Sequence, residues 1–195
     1  MLKLSVRLCL AITIVSADFV ECMPQTNEPP KKSAADVMRE IRLKVLTTRP
    51  SQTGRSSTAE YPHVDTMLMD WPVEEGIVSL MASSVGDASI YTTGSFGVMG
   101  GVQFESVRAL AQNFVKLGER YYSEAIPTKE HSFPQSGCVR FYLICYDEVR
   151  IIEGEATSLA SGKDKLSDLF IHAQRVISEL RQIVERQKAK RDDTR

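Results

Sequence analysis

The sequence lacks the features that would assign it to several large classes of protein. No apolar run approaches the roughly 20 residues that a membrane-spanning helix needs. The 11 glycines and 8 prolines among 195 residues are too few for a collagen-like or low-complexity chain. Neither sign of charge is in excess, because 24 Lys and Arg oppose 25 Asp and Glu. Since binding nucleic acid needs a clustered positive excess, we expect no nucleic-acid partner and no integral membrane segment.

Cysteine and histidine are scarce, which bears on disulfides, metals and catalysis. Cys138 and Cys145 are predicted to share one strand, about 23 Å apart at about 3.3 Å per residue, so they cannot bond each other. His63, His131 and His172 are far apart in the sequence and lack the spacing of a zinc site. No serine-hydrolase or metalloprotease signature is present. We therefore predict no metal, no cofactor and no enzymatic activity.

Two interpretations of residues 1–22 remain open. Lys3 and Arg7, the apolar stretch from Leu8 to Val15 and the small residues up to Ala17 are typical of a secretory signal that is cleaved after Ala17. Alternatively, residues 1–22 are a spurious extension and translation begins at Met23. The first interpretation places the protein outside the cytoplasm, and the second places it inside.

The composition divides the rest of the chain into three parts. Residues 23–62 are rich in Pro, Ser and Thr and are predicted to be a flexible linker, interrupted by one helix at about residues 34–46 with Ser33 as its N-cap. Residues 63–186 are predicted to form a globular domain. Residues 187–195 are charged and predicted to be a fraying tail.

Hydrophobic periodicity predicts five strands and two long helices in the globular domain. The strands are predicted at Val64–Trp71, Gly76–Ser84, Ala88–Thr93, Val139–Tyr146 and Val149–Glu155, and the amphipathic helices at about 103–124 and after a Ser167 cap. Pro72 is predicted to end the first strand, and Gly86-Asp87 to form a two-residue hairpin turn. A three-strand meander followed by a hairpin indicates a single α+β domain with a five-stranded antiparallel sheet.

The predicted position of two strands in the sheet follows from their side chains. Val139–Tyr146 is apolar on both faces, which is typical of a central strand. We expect Val64–Trp71 at an edge, where Asp65 and Asp70 would discourage pairing with another chain.

Four blocks of the domain carry a resemblance to known proteins. They are MLMDWP (Met67–Pro72), GDASIYTTGSFGVMGG (Gly86–Gly101), GCVRFYLICYDEVR (Gly137–Arg150) and SDLFIHAQRVISELR (Ser167–Arg181). They resemble an uncharacterised family of short bacterial proteins, and this resemblance implies no activity, cofactor or catalytic residue. Members of that family begin with a short helix and no export signal, which favours a start at Met23. The order of elements is also similar to that of roadblock and profilin-like domains, which implies protein interaction or dimerisation rather than chemistry.

Two local features are candidate binding sites. Gly97, Gly100 and Gly101 lead into a helix N-terminus, where backbone N–H groups can hold an anion or small ligand, although such glycines more often serve a tight corner. The aromatic residues Trp71, Tyr91 and Phe96, with Tyr122, would mark a partner surface if they formed one exposed patch.

The leading functional hypothesis is a small non-enzymatic domain that binds a protein partner or a second copy of itself. The alternative is a module that binds a small ligand or anion at the glycine-rich loop.

Asp168 and His172 lie one helical turn apart, which permits a side-chain contact between them.

Overall fold

The computed structural model of the protein describes residues 32–94 and 97–193. The predicted signal segment 1–22 and Met23 therefore lie outside the described residues. The α-helices are α1 (Ala34–Thr47), α2 (Glu105–Glu119), α3 (Ala156–Ala160) and α4 (Ser167–Asp192). The strands are β1 (Val64–Val73), β2 (Gly76–Ser83), β3 (Ala88–Thr92), β4 (Gly97–Val98), β5 (Ile126–Thr128), β6 (Cys138–Cys145) and β7 (Val149–Glu155).

The strands form one antiparallel sheet in the order β4-β3-β2-β1-β6-β7-β5. The α+β class is confirmed, and all five predicted strands are present. Two short strands add to them at the sheet edges: β4 with 2 residues and β5 with 3. Segments this short carry no periodicity, so the sequence pattern could not reveal them.

The predicted edge position of β1 is wrong. β1 lies in the middle of the sheet, where it pairs with β2 on one side and β6 on the other. Asp65 and Asp70 are 1% and 0% exposed, so they do not protect an edge. The Asp70 carboxylate instead forms a buried ion pair with Arg42, and the Asp65 carboxylate pairs with Arg55, whose side chain is 33% exposed.

Two predicted strand ends also differ from the structure. β1 continues through Pro72, which pairs with Ile77 of β2. β6 pairs with β1 only as far as Asp70, so the missing N–H of Pro72 leaves no gap in that ladder. The turn between β2 and β3 contains four residues, Ser84–Asp87, rather than the predicted two, and Gly86 adopts a φ of +86° there.

The two long helices cover one face of the sheet, as their apolar stripes predict. Phe114 of α2 and Phe170 and Val176 of α4 pack in the main core with the alternate side chains of the strands. α2 ends at Glu119, earlier than predicted. Ser167 is not the N-cap of α4, because its Oγ accepts from the N–H of Asp164 in the preceding turn, and Leu166 occupies the cap.

The short helix α3 was not predicted. It follows β7 directly, and the Glu155 carboxylate caps it by accepting from the N–H groups of Thr157 and Ser158. Hydrogen bonds from the side chains of Ser158 and Thr157, together with these backbone bonds, lower the pKa of Glu155 to about 2.

The helix α1 covers the opposite face of the sheet, so both faces are covered. Its N-cap is Ser33, as predicted, and its Leu46 is buried with Leu68, Tyr142 and Ile144 of the sheet. The part of the predicted linker that the structure describes therefore belongs to the same compact unit as the globular domain, and this unit extends back to Lys32.

The last helix continues into the predicted tail. α4 reaches Asp192, and its residues from Glu185 onward are exposed.

Within the described ranges, no helix combines the length and apolar character that a bilayer crossing requires.

Candidate functional site

The three glycines predicted as a ligand site have different surroundings. Gly97 lies opposite Tyr91 in the sheet, where a Cβ would come within 2.6 Å of the methyl group of Met38 in α1. Gly101 is buried, and a Cβ there would come within 2.7 Å of the side chain of Val107 in α2. Gly100 has a φ of +83° and open space around it. Close packing and one positive φ thus account for all three glycines.

The N-terminus of α2 is also poorly suited to an anion. Phe104 occupies its N-cap and provides no side-chain hydrogen bond. Glu105 follows in the first turn, where its negative charge interacts favourably with the helix dipole. A bound anion would be repelled by this carboxylate. Anion binding at the loop remains a prediction without further structural support.

The predicted aromatic surface is not assembled as one patch. Trp71 lies on the face covered by α4, and its ring meets that of Phe170 edge-on at 5.3 Å. Tyr91 lies on the opposite face, because it pairs with Ser79, whose own partner is Asp70. Tyr91 is only 4% exposed. Phe96 lies outside the described residues.

The sheet face beneath α1 is unusually polar. Asp70, Thr66, Ser79, Ser83 and Ser89 are all buried there, on the same face as Leu68. Aliphatic side chains would fill such a face in an ordinary core. The alternation of serines with apolar residues in β2 was the only sequence signal of this face. It could not show that the serines are buried.

The centre of this face is an ion pair between α1 and β1. Arg42 donates from Nε and Nη2 to the same oxygen, Oδ2 of Asp70, at 2.9 and 2.5 Å. Ser79 donates to Oδ1 of Asp70 at 2.5 Å. The side chains of Arg42 and Asp70 are 6% and 0% exposed. Burial raises the pKa of the Asp70 carboxyl, and the hydrogen bonds from Arg42 and Ser79 oppose that rise.

The same arginine also holds the segment between β5 and β6. Its Nη1 donates to the carbonyl of His131 at 2.7 Å, and its guanidinium lies 4.0 Å from the ring centre of Phe133. Tyr142 donates to the Ser132 carbonyl at 2.6 Å. Arg42 therefore links α1, the sheet and this connecting segment. Sequence patterns could not reveal the ion pair, because its partners are 28 residues apart.

Within the described part of the chain, His172, His63 and Cys145 have separate surroundings. Nδ1 of His172 lies 2.8 Å from the backbone carbonyl of Asp168, so the helical spacing produces no contact with the carboxylate. Nδ1 of His63 lies 3.2 Å from Glu119, and its ring stacks on Tyr122. Burial raises the pKa of the Cys145 thiol to about 12, which suits a packed side chain rather than a nucleophile. Among residues 32–94 and 97–193, no group of three or more His, Cys, Asp or Glu could hold a metal ion.

The outer side of the two long helices carries exposed apolar side chains. Ile171 of α4 is 39% exposed. Leu110 of α2 and Ile171 of α4 line a shallow depression of about 520 Å³. Ser106 donates to Glu179 at 2.7 Å and joins the two helices. We call the surface around Leu110 and Ile171 the helical surface.

Comparison with models of protein families, with curated proteins and with solved structures finds no match to this chain.

Proposed function

We propose that the protein is a non-enzymatic interaction domain that pairs with a second copy of itself through the helical surface. The observation that carries this proposal is the depression between α2 and α4, where Ile171, 39% exposed, lies with Leu110. Exposed apolar residues that share one surface are typical of protein interfaces.

The size of the helical layer supports a dimer. A stable interface buries about 800 Å² per partner, a patch roughly 28 Å on a side. α4 has 26 residues, a length of about 39 Å at about 1.5 Å per residue. α2 packs beside it and widens the available surface.

The charges of α4 favour self-pairing. Arg175 and Glu179 both line the depression on the outer side of α4. Glu179 pairs with Arg186 of its own chain at 2.9 Å. In an antiparallel pair of α4 helices with a two-fold axis at the level of Ile177, Glu179 of each copy also lies opposite Arg175 of the other. A two-fold interface uses each such contact twice. Ser178 is small and exposed, which allows the two helices to approach closely.

Matched substitutions test this interface. Ile171→Asp places a charge in the helical surface, whereas Ile126→Asp places the same charge on β5, where Ile126 is 68% exposed. Burying an Ile side chain is worth about 1.5–3 kcal/mol, so we expect Ile171→Asp to weaken the dimer at least about tenfold. Ile126→Asp should leave it unchanged.

Sedimentation velocity of the full-length variants gives the readout, with circular dichroism to confirm that both are folded. Arg175→Glu should weaken the dimer as well, since it places two carboxylates opposite each other. If Ile171→Asp and Ile126→Asp sediment alike, the helical surface is not the interface.

A further inference from the structure

The main apolar core is built without α1. It lies on the face that α2 and α4 cover, and these helices bury 6 and 8 of their residues. Among the described side chains of α1, only Arg42 and Leu46 are buried, and Leu46 belongs to the smaller cluster on the opposite face. The domain therefore owes little of its apolar burial to α1.

The serines of the polar sheet face bond to the sheet and its turn rather than to α1. Ser79 donates to Asp70 at 2.5 Å, and Ser83 accepts from the backbone N–H of Asp87 at 3.2 Å. These bonds persist when α1 is absent. A permanently buried face usually carries aliphatic side chains, whereas a face that meets water is polar. The composition of this face thus suits contact with water.

Arg42 positions α1 on this face through the ion pair with Asp70 and a bond of 3.2 Å to the hydroxyl of Tyr142. A buried ion pair adds little net stability, because both charges lose their hydration when they meet. When α1 leaves the sheet, Arg42 and Asp70 both regain water, and neither charge stays buried alone. Replacing Arg42 is different, because Asp70 then remains under α1 without its partner.

The surroundings of α1 leave room for movement. Residues 56–60, between α1 and β1, are exposed, and residues 55–58 belong to no helix or strand. A cleft of about 280 Å³ lies between α1 and the sheet, with Ile41 and Val45 on one side and Met81 and Ile144 on the other. α1 is therefore packed incompletely against the sheet along this cleft.

We infer that α1 is a removable cover of the polar sheet face, which leaves the sheet as a unit while the main core stays folded. The open state presents Asp70, Ser79 and Ser83 to water. A molecule that binds only this open face shifts the population towards it. The helical surface lies on the other side of the sheet, so it is the same in both states.

Native-state hydrogen exchange of the full chain, followed by NMR, tests this inference. An isolated helix of 14 residues is marginal in water, so the amides of α1 exchange once it has left the sheet. Under conditions where the rates report opening equilibria, we expect residues 38–47 to exchange at least about a hundredfold faster than those of β6, after correction for intrinsic rates.

The same substitution on two helices identifies the opening event. Leu180 of α4 is 1% exposed in the main core, and Leu46 of α1 is 0% exposed beneath α1. Leu180→Ala destabilises the closed and open states alike, so it should speed exchange in β6 at least about tenfold and leave α1 unchanged. Leu46→Ala destabilises only the closed state, so it should speed exchange in α1 and β6 by the same factor.

The inference is overturned if α1 and β6 exchange equally slowly in the unaltered protein, since α1 would then open only by global unfolding. It is also overturned if Leu180→Ala speeds both elements by the same factor. A third contrary result is that Leu46→Ala leaves α1 unchanged, because α1 would then exchange without leaving the sheet. The unaltered protein decides the question even if a variant does not fold.

Discussion

Replacing Arg42 by Met tests how α1 is held on the sheet. Methionine keeps an unbranched apolar stem against Phe133 but removes both hydrogen bonds to Asp70, so a carboxylate that is 0% exposed retains only its bond from Ser79. Removing one partner of a buried ion pair costs about 3–5 kcal/mol, because the other charge is left buried. We therefore expect Arg42→Met to lower the free energy of unfolding by about that amount.

The matched control lies on the same helix. Arg39 pairs with Asp36, but their side chains are 58% and 53% exposed, and exposed pairs contribute about 0–1 kcal/mol. Arg39→Met should therefore change stability little. Urea unfolding of both variants, followed by circular dichroism, gives the two free energies. An Arg42→Met protein as stable as Arg39→Met would refute the reasoning.

The pH dependence of Arg42→Met checks the cause of the loss. Burial already raises the pKa of Asp70, and removing Arg42 removes an opposing effect, so the pKa rises further. In folded Arg42→Met, the Asp70 carboxyl then keeps its proton at a pH where the same carboxyl of the unfolded chain has lost it. The free energy of unfolding of this variant therefore falls as pH rises. The deficit of Arg42→Met should thus be larger at about pH 8 than at about pH 5. Adding Asp70→Asn removes the second charge and should recover part of the loss at the higher pH.

Two further predictions concern the Glu155 cap of α3 and the glycines Gly100 and Gly101 before α2. The pKa of Glu155 is lowered to about 2 by its capping bonds, so the stabilisation from this cap is present above the ordinary carboxyl pKa and is lost as pH falls through about 2. An NMR titration of the Glu155 side chain should show this midpoint, and a midpoint near 4.5 would contradict the capping geometry. Gly101→Ala should destabilise the protein by about 1–3 kcal/mol, since its Cβ would lie 2.7 Å from Val107 and 3.0 Å from Leu180. Gly100→Ala meets no neighbour within 4 Å and carries only the cost of its positive φ, so urea unfolding should show a smaller loss of about 1–2 kcal/mol.

The elements that the sequence predicted well are those whose pattern is local. The apolar stripe of α2 and the alternation in β2 reflect side chains within one segment, and both were placed to within a few residues at most ends. The position of β1 in the sheet depends instead on pairing with β6, which lies about 70 residues later. Two aspartates in a strand are typical of an edge, and only the fold shows that β1 is central.

The candidate sites were harder to predict for the same reason. Asp70 becomes a buried acceptor because Arg42 reaches it from a helix that the sequence placed in a linker. The serines of β2 become buried because α1 crosses the sheet above them. A glycine run is visible in the sequence, but close packing against Met38 and Val107 emerges only in three dimensions.

Sedimentation equilibrium of the unaltered full-length protein across micromolar concentrations tests self-association most directly. The chain has a mass of 21.8 kDa. The account predicts an apparent mass that rises with concentration towards twice that of the single chain. A mass that stays at that of the single chain at every concentration would contradict it.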